Sequence, residues 1–397
     1  MRQEPLSGGG CGRPGSRKAL VGVKRGVEMS EIVTVRGSIR PDELGFTSMH
    51  EHLFVRESYR REIFKSRHPD PAEWAKADKD EPLSLENLAA VRRNPYLILD
   101  ETRLDDEEHT TSEVAEYKAA GGAAILEMSA PGIRIMTDSL ERVSEATGVH
   151  IIASTGLYTE QSWPGCFRSM TLEQYADHFR SELVKGIGET GVRAGHIKVA
   201  VVDEITQQQE TVLRAAARVS AETGVSITAH PGFDIGNDGR AIVRILKDEG
   251  MDLQRLILAH SSGFFIRTSD MKARILYPEA TWGLTLDYAE QLLSLGVTLS
   301  IDCFGHLCEL EFLRDRQEED WERLAGLVAL LQRGYAEQLV LGCDVYMKSL
   351  TRRYGGDGYR RLPAAIIPIL RDCGVSDCAI RHMTVGNPAR LLAWSAA

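Results

Sequence analysis

Eight short runs of apolar, largely β-branched residues, separated by amphipathic stretches, set the tightest limit on what this chain can fold into. They are Phe46–His52, Ala123–Ser129, His150–Thr155, His196–Val201, Ser226–His230, Leu256–His260, Thr298–Asp302 and Leu339–Asp344. Runs this short, apolar along most of their length, suit strands buried on both faces. Stretches with helical spacing lie between them: Ser112–Ala120, Ser139–Thr147, Leu172–Gly186, Gln207–Thr223, Ala241–Glu249, Asp287–Leu295 and Trp321–Arg333, with a shorter one at Leu85–Arg92. Gly121, Gly148, Gly224, Gly250, Gly296 and Gly334 each stand just before the next run. Glycine there accepts the left-handed backbone that ends a helix. Repeated strand–helix units imply a parallel sheet. Eight of them fit an α/β fold closed as a (β/α)8 TIM barrel, with an open doubly wound sheet as the arrangement that counting alone leaves standing. A chain of 397 residues accommodates one such domain over residues 31–397. Its longest connection, Leu53 to Asp106, follows the first run, and long loops at the C-terminal face of a barrel form the mouth of its active site.

Residues 1–30 read differently. They are rich in Gly, Arg and Ser and lack a continuous apolar core of signal-peptide length. They are expected to be a disordered leader, with Met29 as an alternative start. The formal net charge of −10 argues against nucleic acid or an anionic membrane as partner, and no apolar run is long enough to span a bilayer. Seven cysteines without a CxxC pair fit a reduced, cytoplasmic setting better than a disulfide scaffold. No GxxxxGK[ST] phosphate loop is present, which disfavours nucleotide-dependent phosphoryl transfer.

The chemistry-bearing residues sit where the apolar runs end. In His50-Glu51-His52 the two imidazoles share one face of a strand, because alternate side chains point the same way. That makes a metal half-site, although two polar residues at a strand end are an equally ordinary reading. His230 and His260 end the fifth and sixth runs, and Asp344 ends the eighth. Polar groups so placed are costly if left unpaired. One satisfied core histidine is common, whereas four at strand ends together with an acid on a further strand are not. Lys198 falls inside the fourth run. A buried amine must lose its charge or find a partner. Neutral, it can take up carbon dioxide to give a carbamate whose two oxygens can bridge two metals. Otherwise it snorkels to the rim or pairs with Asp344.

The segment Gly45-Phe46-Thr47-Ser48-Met49-His50-Glu51-His52-Leu53 resembles the opening motif of the phosphotriesterase-like branch of the amidohydrolase superfamily. Lys198, His230, His260 and Asp344 follow in that family's order, and Asp344–Lys348, Tyr354–Tyr359 and Gly386-Asn387-Pro388 are also similar to its phosphotriesterase-related members. The resemblance covers residues 31 to 395. It implies a binuclear metal-dependent hydrolase. His50, His52 and Asp344 would bind the more buried ion and His230 and His260 the more exposed one. N6-carboxylated Lys198 and a hydroxide would bridge them, with Asp344 accepting the catalytic proton. Imidazole and oxygen ligands suit zinc, with manganese, cobalt and nickel also compatible. The sequence departs from the family's organophosphate-degrading members at Cys303, where they carry a proton-relaying histidine. His306, three residues on, is a candidate substitute. Cys343 precedes Asp344 where many relatives have a polar residue. These departures weigh against efficient phosphotriester hydrolysis.

Tyr158, with Trp163 and Phe167 nearby, and Tyr346, Lys348 and Arg352 are candidate substrate contacts; a cation among them can hold a carboxylate or phosphate. The expected activity is hydrolysis of a lactone or other carboxylic ester, with weak organophosphate turnover. Amide hydrolysis of a small N-acyl compound and a non-catalytic metal-containing binding barrel are the competing readings. The expected partner is a small-molecule substrate; a homodimer stays open.

Overall fold

The computed structural model describes residues 30–67, 74, 78–201, 204–231, 239–265, 271–306 and 319–394, so the leader expected over residues 1–30 lies, but for its last residue, outside the described residues. Among the described residues twelve strands run in chain order: β1 (Ile32–Thr34), β2 (Gly37–Ile39), β3 (Thr47–Glu51), β4 (Val55–Arg56), β5 (Arg103–Leu104), β6 (Ala124–Glu127), β7 (His150–Leu157), β8 (Ala194–Ala200), β9 (Ile227–His230), β10 (Leu256–Leu258), β11 (Thr298–Ile301) and β12 (Leu339–Leu341). Eight of them form one sheet in the order β12-β11-β10-β9-β8-β7-β6-β3, and every pairing in it is parallel. These eight are the eight apolar runs. The ends of the order, β12 and β3, meet where the Asp344 amide donates to the His50 carbonyl at 2.8 Å, so the sheet curls round nearly to a closed barrel.

Alternation along each strand sorts its side chains. Ile197 and Val199 of β8, Ile227 and Ala229 of β9, and Leu299 and Ile301 of β11 belong to the large apolar layer shared with the helices. A smaller cluster of Met49, Ala124, Leu126, Ile152, Ile257 and Val340 is joined by Ile32 of β1 and by Leu391 and Leu392 of the last helix. The β1–β2 hairpin and the C-terminal helix thus seal one end of the barrel, and the polar strand ends occupy the other. Parallel strands need crossovers, and the helices Glu107–Ala119, Thr137–Thr147, Leu172–Val184, Gln207–Thr223, Gly239–Asp248, Asp287–Ser294 and Asp320–Gln332 provide them. The six glycines expected at helix ends all have positive φ. Two further glycines permit backbone contact inside the barrel. A Cβ on Gly156 would lie 1.9 Å from the Lys198 carbonyl oxygen, and one on Gly342 would lie 2.7 Å from the Cβ of His50.

His196 is the satisfied core histidine of the set. It is buried on β8, with Nδ1 2.8 Å from Ser226 Oγ and Nε2 2.8 Å from Thr228 Oγ1. Burial, helped by Lys198 and His50, lowers its pKa from 6.5 to about 3. The unfolded chain therefore binds more protons between those values, and stability falls as the pH drops through that window, by at most about 1.4 kcal/mol per pH unit. Urea midpoints taken near neutrality and about two pH units lower are expected to fall further in the wild type than in His196→Gln. Equal falls in the two proteins would contradict this assignment.

Candidate metal centre

Five strand ends and the middle of β8 bring the sequence candidates together. The register of β3 against β6 shifts between Ser48 and Glu51, and His50 and His52 both face the site while Glu51 lies on the other face with Ser48, whose hydroxyl it accepts at 2.5 Å. Asp344 Oδ1 lies 3.4 Å from His50 Nε2 and 3.3 Å from His52 Nε2. Lys198 Nζ is 3.3 Å from His50 Nε2. The ring of His260 is 4.9 Å from that of His50 and 4.5 Å from that of His230. His50, His260 and Asp344 bring ligand atoms within 4.8 Å of one another. The donor set fits an ion. Donors about 3.3 Å apart sit on the edge of a tetrahedron whose centre is about 2.0–2.1 Å from each, which is the bond length of zinc to nitrogen and oxygen.

A second layer of contacts turns these donors inward. Asp302, fully buried, accepts from His50 Nδ1 through Oδ2 at 2.9 Å and from His260 Nδ1 through Oδ1 at 2.8 Å. One carboxylate thereby orients two imidazoles and leaves both Nε2 atoms for an ion. Ser129 Oγ, at 2.8 Å from His52 Nδ1, does the same for the third. His260, Cys303 and Asp344 have φ of 53°, 63° and 52°. Left-handed backbone on such residues is rare, and it clusters where the surroundings impose it at functional sites.

Electrostatics favour a site that takes up positive charge. Burial, reinforced by Lys198, lowers His50 from 6.5 to about 4, and burial beside His260 and Lys198 drives His230 well down. Burial alone would raise Asp344 and Asp302, but the neighbouring imidazoles, His50 and His52 foremost at Asp344 and His260 and His50 at Asp302, outweigh it and hold both carboxyls well below the usual range. Burial lowers Lys198 from 10.5 to about 8 against the pull of Asp344 and Asp302. Neutral imidazoles, ionised carboxylates and a partly neutral amine are the protonation states that metal binding requires.

The substrate candidates divide. The rings of Tyr158 and His230 meet in a T shape, with centroids 6.0 Å apart, and the ring of Tyr346 lies 6.4 Å from that of His52 and 5.6 Å from that of His306. Both border the centre. Cys303 Sγ is 3.5 Å from Asp344 Oδ2 and 3.4 Å from His260 Nδ1. His306 Nε2 donates to the Asp344 backbone carbonyl at 2.9 Å, and so braces Asp344 by its main chain. Lys348 pairs with Asp100 at 2.5 Å, and Arg352 with Glu116 at 2.9 Å, so neither expected cation is directed at the centre. Trp163 donates to the Tyr158 carbonyl at 2.7 Å, and Phe167 packs on His178. Arg60, which the sequence reading missed, donates to the Tyr158 hydroxyl at 2.6 Å while pairing with Glu57 at 2.8 Å. It lies in the long connection after β3, where no periodicity singles it out.

Such a donor-lined end on a parallel eight-stranded barrel defines a class, the metal-dependent hydrolases. Within that class the chain belongs to the Phosphotriesterase family, whose model matches residues 30–392. Among curated relatives, the N-acetyltaurine hydrolase of Salmo salar is 29% identical over 372 residues, covering 91% of this chain and 97% of the relative. Among solved structures, a resiniferatoxin-binding protein from Rhodobacter sphaeroides superposes with a TM-score of 0.78 at 27% identity, over 92% of this chain and 95% of the other. A lactonase from Listeria monocytogenes shares the fold, with a TM-score of 0.68 at 21% identity over 92% and 100% of the two chains.

Proposed function

We propose that this protein hydrolyses the amide bond of a small N-acyl compound at a binuclear metal centre, and that His50, His52, Lys198, His230, His260 and Asp344 hold the two ions. The observation that carries the reading is the spacing of Asp344 Oδ1 from His50 Nε2 and His52 Nε2, 3.4 and 3.3 Å, with the buried Lys198 amine behind them. The amide, rather than the ester first expected, is favoured by a relative that acts on N-acetyltaurine and aligns over 91% of this chain.

Bound divalent ions, zinc in this reading, lower the pKa of water to about 7 and polarise a carbonyl oxygen. The chain's own residues supply the rest. Lys198, once carboxylated, would supply an anionic ligand to the ions. Asp302 and Ser129 fix the imidazole tautomers. Asp344 keeps Oδ1 toward His50 and His52 while Oδ2 faces Cys303. Its carboxylate accepts the proton of the attacking water and returns it to the departing amine, whose nitrogen must be protonated to leave. Tyr158 and Tyr346 flank the space for the acyl compound.

The test is a panel of N-acyl amino acids, N-acetyltaurine, lactones and a paraoxon-like triester, assayed with metal-loaded protein. The highest kcat/KM is expected on an N-acyl compound. A lactone turned over faster than every amide would replace the amide reading, and inactivity on the whole panel would remove both.

A further inference from the structure

We infer that Glu51 is a positioning residue, whose buried side-chain carboxyl fills a backbone nest that sets the aim of Asp344. The inference rests on the metal-ligand reading above. Three successive amides at the end of β12 are captured by two successive residues of β3. Cys343 N–H donates to Glu51 Oε1 at 2.8 Å, Val345 N–H donates to Glu51 Oε2 at 3.0 Å, and the Asp344 N–H between them donates to the His50 carbonyl at 2.8 Å. Amides of alternate residues converging on one carboxyl group, with the middle residue in left-handed backbone, make a nest. Asp344 is that middle residue, at φ 52°. Ser48 Oγ orients the carboxylate from its own strand, and Glu51 is fully buried.

The place matters as much as the contacts. The hydrogen-bonded order of the sheet begins at β12 and ends at β3, so at this seam a side chain takes over the holding done elsewhere by ladder bonds. Glu51 stands between His50 and His52 in sequence, and its nest encloses Asp344. One carboxylate therefore fixes the distance between the two strands that hold the three donors of the more buried ion. Gly342, with no room for a Cβ against His50, keeps the same seam tight. Glu51 touches no donor atom itself, so it acts only through the backbone on either side of Asp344.

Glu51→Gln keeps one accepting oxygen but turns an NH2 against a backbone N–H, which opens the nest. Glu113→Gln is the matched control. Glu113 is also a buried carboxylate that accepts two successive amides, Arg352 at 3.0 Å and Arg353 at 3.2 Å, away from the donors. Both variants are expected to lose thermal stability. In Glu51→Gln alone, chelator competition should show an about 10–100-fold weaker affinity for one cobalt(II) ion, with a changed visible spectrum and a lower kcat at little-changed KM. A Glu51→Gln protein that matches Glu113→Gln in stability but keeps wild-type cobalt affinity and spectrum overturns the inference. Should Glu51→Gln fail to fold, Ser48→Ala carries the same test, with weakened affinity as support and unchanged affinity and spectrum as refutation. A wild type that binds no ion would sink the metal reading itself, a result distinct from either.

Discussion

Asp344→Asn should lower turnover by about 10²–10⁴-fold while leaving the fold intact. The amide is nearly isosteric, so its oxygen can still lie toward His50 Nε2 and His52 Nε2, now 3.4 and 3.3 Å from Oδ1. What disappears is the negative charge and the capacity to take a proton. The native carboxyl is held ionised well below its usual range by the surrounding imidazoles, against the effect of burial, so it is available as an acceptor throughout the neutral range. The check is kcat at saturating metal, with circular dichroism to confirm folding. Unchanged turnover would remove Asp344 from the proton path.

Lys198→Met should cost activity at least about 100-fold without unfolding the protein. The amine is wholly buried, and burial has already pulled its pKa down to about 8. Replacing the buried amine with an apolar chain of similar length removes a desolvation cost that Asp344 and Asp302 only partly offset, so the stability of the metal-free protein should hold or rise. If Lys198 bridges the ions as proposed, metal content per chain should drop by one or both. Native mass measurement adds an independent reading: the wild type should carry the mass of one carbon dioxide that Lys198→Met lacks. A variant that retains both ions and wild-type turnover would show that Lys198 is merely a core lysine.

Much of this was legible because a parallel barrel writes its strands as unbroken apolar runs and its site as the polar residue closing each run. All eight runs became strands on that basis. Their ends were less legible. β10 stops at Leu258 and β12 at Leu341 because His260 and Asp344 themselves adopt left-handed backbone, which no local propensity announces. The helix expected from Ser112 begins at Glu107, where Asp106 accepts the His109 amide; an acid cap and an acidic first turn mark that start, whereas apolar spacing does not. Asp302 was missed as a second-layer carboxylate although the rule that found Asp344, an acid closing an apolar run, applies to it equally. Glu51 and the Lys348–Asp100 pair could not be read. Their partners lie 292 and 248 residues away in sequence, and only the closed barrel brings them into contact.

The central claim is that six side chains from five strands hold two ions in one buried cage. Metal analysis of apoprotein reconstituted with zinc and freed of excess tests it most directly. Two ions per wild-type chain, with fewer in Lys198→Met, is the predicted result. A fully folded wild type that emerges from the same treatment without bound metal would contradict it.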